Sequence, residues 1–463
     1  IGDWSSDVCS SDLQLGGVTA YAYDNAGRLI STTDPKGNVT TQTYDAVGNV
    51  AKVTDALGNE TAYTYNANNQ IAAVTDAEGG VTSYAYDANG RISTLTDAEG
   101  GKTAYTYDAK GNVTKLVDAE GAATTYTYDK LDRLTAVKDG RGNTTAYEYD
   151  AEGALTKVTD PTGKSASRSY DALGRLVSET DRNGNTRTYA YDADGRLTSA
   201  TDPLGNVTSY TYDAAGNLLT QTAPMDRVNT YTYDEMGRRQ TATDPLGHMV
   251  TFYYDDLGRI TGYANKDGST VGYTYDGNGN RLTVTDELGN VTRYTYDATN
   301  RLTSVTDPLG GKTSYAYDKV GNLISTTDAL GNVTSQTYDH LGNLTSQTDA
   351  LGNTTAYAYD KLGRCVSITD PNEGVTEAEY DAAGNIVSIT DPEGNVTTYT
   401  YNARNELVSY TDAEGFTFSY TYDGNGNVLT YTDGNGNTTT YTYDGLDRAT
   451  QRTDAAGNIA TNE

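Results

Sequence analysis

Large apolar side chains are scarce in this 463-residue chain. Three phenylalanines, one tryptophan and three methionines cannot fill the deep cores of the roughly three ordinary domains that its length would allow. A single-layer or shallow-core architecture follows. Cysteine is limited to Cys9 and Cys365, which excludes a disulfide framework and offers no metal-ligand spacing. Positive charge is short as well: 33 Lys and Arg stand against 63 Asp and Glu, and the net charge of −30 repels nucleic acid and anionic membrane surfaces. No apolar run approaches the ~18 residues of a spanning helix. Neither nucleic-acid binding nor membrane insertion by this segment is expected, and no basic, apolar leader opens the chain.

What is abundant is tyrosine, at 41 residues, and glycine, at 49, and both are periodic. Tyr stands at position 23 and at every twenty-first position to Tyr443, without an insertion or deletion. Asp follows it in all but two units, where Asn66 and Asn402 stand instead. Three residues on, only Gly, Asn or Asp occurs; these types accept a positive φ most readily, so backbone geometry selects them. The second half of each unit repeats the pattern around Asp34 and Gly37, and all eight prolines directly follow this second Asp position. That placement suits a type I or II turn. The structural repeat markers are thus Tyr23, Asp24, Gly27, Asp34 and Gly37, recurring as Tyr212, Asp213 and Gly216 and as Tyr443 and Asp444.

Each unit reads strand, turn, strand, turn, as in "VTSYTYD", "AAGN", "LLTQT", "DPLGN". Thr, Val and Tyr favour β structure, and turns every 10 to 11 residues favour antiparallel hairpins, giving some 42 short strands. The paired tyrosines of "YTYD" share one face, opposite a thin polar face. Leu or Val recurs three residues apart on the second strand, as at Ile92 and Leu95; a β-bulge beside the turn would reconcile this with alternation. Strands ~4.8 Å apart would make roughly 200 Å of sheet, or a hoop about 65 Å across if closed in one turn. So long a sheet must curl or divide. Paired units of four strands also suit propeller blades, although 21 units divide awkwardly into them.

The motif "YxYDxxGNL" followed by "TDPLGNVT" resembles the Rhs, or YD, repeat family, which includes the C component of insecticidal Tc toxins and the shell of teneurins. The likeness covers residues 14 to 463. It implies an all-β fold in which tandem 21-residue hairpins form one long antiparallel sheet that curls into a spiral hollow shell. It also implies that the shell encloses a toxin or effector domain of the same polypeptide, and a secreted or bacterial cell-surface location. The family's self-cleavage motif "DPxGL" has no match, because Asn206, His248 or Gly311 stands where Leu is required. Residues 14–463 are read as an array of about 21 repeats truncated at both ends, since the register expects another Tyr after Glu463. Residues 1–13 resemble translated adaptor sequence and are expected to be unstructured.

Four chemistries compete with turn structure. Asp276, Asn278, Asn280 and Glu287 occupy positions 1, 3, 5 and 12 of a calcium loop, but Arg281 replaces its glycine. His248, His340 and Cys365 are too isolated for nucleophilic catalysis. Asp339 and Asp349 could imitate a glycosidase pair, yet the pattern recurs along the whole chain, whereas an active site breaks symmetry. The tyrosine face could stack on sugars, so a carbohydrate-binding adhesin that meets a glycan or cell-surface receptor is the rival reading. No catalytic, metal or cofactor site is expected. One unit breaks the symmetry: in "APMDRVNTYTYD", Ala223 and Asp226 replace the turn Asp and Gly, predicting a looser or differently shaped turn.

Overall fold

The computed structural model describes residues 9–12 and 17–461. Among them are 44 strands, numbered β1 to β44 in chain order, and no helix. Strands pair antiparallel with their sequence neighbours: β11 (Val113–Val117) to β20 (Val207–Tyr212) form an unbroken run of ten, which excludes four-stranded blades. The sheet is all-β and built of tandem hairpins, as the repeat predicts. One expectation is corrected at the start of the chain. Cys9–Asp12 form β1, paired with β2 (Val18–Tyr23), so residues 1–13 are not unstructured throughout. Residues 1–8 and 13 lie outside the described residues.

The bulge sits at one place in each hairpin. In β2 and β3 (Leu29–Thr33), Tyr23 faces Leu29 and Ala22 faces Ser31, so Ile30 is the extra residue. Tyr21 and Tyr23 then share a face with Thr32 and Leu29, which stand three apart. The same shift precedes Tyr107, Tyr212 and Tyr443. On the opposite face threonines form cross-strand hydroxyl pairs, such as Thr211 with Thr220 at 2.6 Å.

A single sheet leaves little to bury. Among the described residues Val271 is the one apolar side chain in the buried class, and Ser304 and Asp160 are the buried polar ones. Cross-strand pairs, rather than a core, therefore supply the packing.

The chain divides into two units, residues Ile1–Lys102 with Thr230–Tyr357 (unit 1) and Thr103–Asn229 with Ala358–Glu463 (unit 2). Each unit thus combines two distant lengths of chain, an earlier and a later pass. The structure corrects the single hoop here: in each unit the later pass is hydrogen-bonded to the earlier, as described below.

Candidate functional site

The repeat markers take the positions that their chemistry requires. Tyr23 ends β2, and Gly27 N–H donates to the Asp24 carbonyl at 2.9 Å with φ 75° at Gly27. Gly37 does the same for Asp34, at 2.9 Å and φ 88°. Gly216 follows suit with Asp213 after Tyr212, while Asp447 takes the glycine's place beyond Tyr443 and Asp444. The positive φ falls on the fourth residue and not on the third, which defines a type I turn followed by a left-handed residue. We call the turns after Tyr the YD turns and those after Thr the TD turns.

The Asp side chain organises each turn. Asp213 Oδ1 accepts from the N–H groups of Ala215 and Asn217 at 2.9 and 2.8 Å, and Oδ2 accepts from Asn217 Nδ2 at 2.9 Å. Where Arg replaces that Asn it reaches into the next repeat. Arg133 Nε binds Asp129 at 2.7 Å, its Nη1 donates to the Asp150 carbonyl at 2.8 Å, and its guanidinium lies 4.9 Å over the Tyr149 ring. These bonds hold the carboxyls below their ordinary range: the Asn217 amide does so first at Asp213, and the Arg91 guanidinium at Asp87.

The tyrosine hydroxyl has a task that the sequence reading missed. Tyr44 Oη donates to the Leu29 carbonyl at 2.6 Å, Tyr65 to Val50 at 2.8 Å and Tyr212 to Leu197 at 2.8 Å, each 15 residues upstream. Pairing between β3 and β4 (Val39–Tyr44) stops at Ser31 with Thr41, so the ladder leaves the Leu29 carbonyl for another donor. Phenylalanine could not supply one. The ratio of 41 Tyr to three Phe was the available signal.

YD turns lie at one end of the strands and TD turns at the other, and the two passes of each unit meet along these opposite edges. In unit 1, Lys319 N–H donates to Glu78 Oε1 and His340 N–H to Glu99 Oε1, both at 2.9 Å. Asn278 Nδ2 binds Asp34 at 2.6 Å while Lys36 pairs with Asp276 at 2.9 Å. In unit 2, Lys361 N–H donates to Glu120 at 3.0 Å, and Asn425 Nδ2 to Asp181 at 2.7 Å. Arg141 reaches the Asn402 carbonyl at 2.9 Å and Asp381 at 3.3 Å. Asp160, 6 % exposed, faces Arg182 Nε at 3.2 Å and Arg404 Nη1 at 3.5 Å. Apart from Arg182, which faces Asp160 along the same edge, the contacts join a TD turn to a YD turn 240 to 244 positions later, about eleven and a half repeats, and Arg141 also reaches one YD turn further, to Asn402, 261 positions on. The half repeat is required, because only an odd number of half-units brings opposite edges together.

Residues 17–149, 119–258 and 162–331 match the teneurin YD-shell family, and 317–349, 338–375, 380–417 and 422–459 match the RHS repeat. The chain belongs to the Rhs/YD-repeat family. No curated protein matches it. Its fold is shared with a crystal structure of TcdB2-TccC3, at TM-score 0.71 and 17% identity over 97% of this chain and 33% of that one. A structure of the Photorhabdus luminescens Tc holotoxin pore is similar at TM-score 0.66 and 17% identity, over 97% of this chain and 30% of that one. This YD-repeat chain therefore spans about a third of these relatives.

In the YD-repeat frame the rival chemistries lose their geometry. Asp276 is held by Asn278 N–H, Asn280 and Lys36, while Glu287 accepts from Asn265 Nδ2 at 2.6 Å, on the TD turn of another hairpin. Among the described residues no cluster of His, Cys, Asp and Glu suits a metal. Asp339 and Asp349 flank β33 (Leu344–Thr348), roughly 17 Å of strand apart by its rise, beyond glycosidase spacing. His248 binds its own turn Asp244 at 2.8 Å, and the Cys365 thiol lies 3.5 Å from the Ser367 carbonyl. The turn at 223–227 is differently shaped, the second of the two forms expected, and it is shorter rather than looser. β21 (Leu218–Ala223) extends to the turn, β22 (Arg227–Tyr233) starts directly after it, and Met225 and Asp226 both take positive φ, 64° and 52°. Without a turn Asp to accept from it, the backbone closes on fewer residues. Among the described residues no helix is long and apolar enough to cross a membrane.

Proposed function

We propose that this chain is a non-enzymatic wall segment of a secreted or cell-surface bacterial protein, whose sheet forms a spiral hollow shell around a toxin or effector domain of the same polypeptide. The observation that carries the reading is the edge-to-edge join, within each unit, between passes about 241 residues apart. A one-layer sheet that staples its own edges makes wall rather than core. The Tc relatives support it, since a structure of TcdB2-TccC3 without its hypervariable C-terminal region keeps a likeness at TM-score 0.67.

The test is protection. A protease-sensitive reporter fused after Glu463, in a polypeptide long enough to complete the wall, is expected to resist digestion until the wall is denatured; digestion at the rate of free reporter counts against enclosure. The adhesin reading predicts binding on a glycan array. It is disfavoured by hydroxyls already committed to carbonyls, as at Tyr212, and by rings stacked on one another, as Tyr410 on Phe418 at 4.5 Å.

A further inference from the structure

One turn position has two environments. It is the second residue after the turn Asp, which carries the joining contacts at Glu78, Glu99, Glu120 and Asn183. Leucines at this position of TD turns in the earlier pass, Leu57 and Leu204, are 44 and 46 % exposed. Leu204 is covered by the later pass: its Cδ2 would lie 3.5 Å from a Cβ placed on Gly445, and Pro203 Cβ only 3.1 Å away. In the later pass of unit 1 the equivalent leucines, Leu246, Leu288, Leu309, Leu330 and Leu351, are 80–98 % exposed.

The YD turns show the mirror image. Val320, Leu341 and Leu362, in joined turns of the later pass, are 39–46 % exposed, whereas Val47, Leu131 and Leu173, in the earlier pass, are 70–75 % exposed. The chain thus carries an uncovered TD edge with leucines and an uncovered YD edge with valine and leucine, the two partners that meet inside each unit. Close approach is built in. The residue after the Asp is Ala46, Ala172 or another alanine in most of these free YD turns, and it is Pro245, Pro308, Ala329 or Ala350 in four of the five free TD turns with leucine, Glu287 standing in the fifth.

We propose that the TD edge at Leu246–Leu351 docks the YD edge of a second copy of this chain. The contact continues the join found within each unit, and because all repeats have one length, copies can dock in register at any step of one repeat. Such a contact is heterologous and leaves a free edge at each end, so it propagates instead of closing at a dimer. This goes beyond the wall reading and does not depend on enclosure of cargo.

Sedimentation velocity of the 463-residue chain across a wide concentration range tests it. Species above the 49.5 kDa monomer are expected to grow with concentration without stopping at two copies. The triple variant Leu288→Lys, Leu309→Lys, Leu330→Lys should sediment as monomer. The corresponding triple Leu→Glu should still associate, because Glu78, Glu99 and Glu120 accept a backbone N–H at this turn position. Side chains this exposed can be exchanged without loss of the strands, which circular dichroism checks. A wild type that stays monomeric overturns the proposal. So do two triple variants that behave alike, the outcome expected of unspecific stickiness, or cross-links between two TD edges of copies bearing Leu309→Cys.

Discussion

In unit 1 the passes are joined by exposed carboxylates that accept from backbone N–H groups, at Glu78 and Glu99, and by Lys36 paired with the half-buried Asp276, whereas unit 2 sets the buried Asp160 between two cations, Arg182 and Arg404. The strands and turns are alike in both. An exposed Glu leaves only a solvated N–H when removed, so such a joint tolerates change. A buried Asp must keep its cations, because an unpaired charge there is costly. Burial pushes the Asp160 carboxyl up, but the Thr162 hydroxyl, the Lys164 and Thr162 N–H groups and the Arg404 charge together hold it below the ordinary range. One architecture therefore carries a permissive joint and a demanding one.

Acid should have the largest effect, since it acts on turns throughout both units. The carboxyls of Asp34 and Asp276 in unit 1, and of Asp160, Asp181 and Asp423 in unit 2, are all held low in the folded state. A depressed folded value stabilises above the ordinary carboxyl value of about 3.9, and that stabilisation is lost as pH falls through and below it. Denaturant midpoints should be level from neutrality to about pH 5 and fall steeply below pH ~4. A midpoint that does not change with acid would sink the role given to the turn carboxylates.

Next in size is Arg404→Met, which removes donors to the Gly424 and Asp423 carbonyls at 2.6 and 2.7 Å and one of the two cations facing Asp160. A loss of about 3 kcal/mol is expected in urea unfolding, with part regained when Asp160→Asn is added. Tyr212→Phe should cost about 1 kcal/mol by leaving the Leu197 carbonyl without its donor, and Tyr170→Phe should match it. The smallest effect belongs to Glu99→Ala in unit 1, at or below ~0.5 kcal/mol. If hydrogen exchange shows equal loosening for Glu99→Ala and Arg404→Met, the contrast between the joints is wrong.

Much of the local structure was legible because it is local. Asp24, Gly27, Asp34 and Gly37 define turns through bonds that span four or five residues, and the spacing of Ile92 and Leu95 required the bulge that Tyr86 with Ile92 and Tyr84 with Leu95 display. Three features escaped. Tyr212 was read for its ring, although its hydroxyl bonds 15 residues away; the turn at Met225 was expected to be looser or differently shaped, without the pair of positive φ values that shortens it; and nothing within one repeat marks Glu78, Arg141 and Asn183 as residues that join distant turns.

The sequence by itself determined the strands, the turns, the bulge and the absence of a core, since a 21-residue period and the φ preferences of Gly, Asn and Asp act within one hairpin. Which hairpin meets which, about eleven and a half repeats away, was decided only by tertiary structure. Twist accumulated over many strands sets where the sheet overlies itself, and no single repeat encodes that sum. The same placement makes one leucine position a joint at Leu204 and an open edge at Leu309.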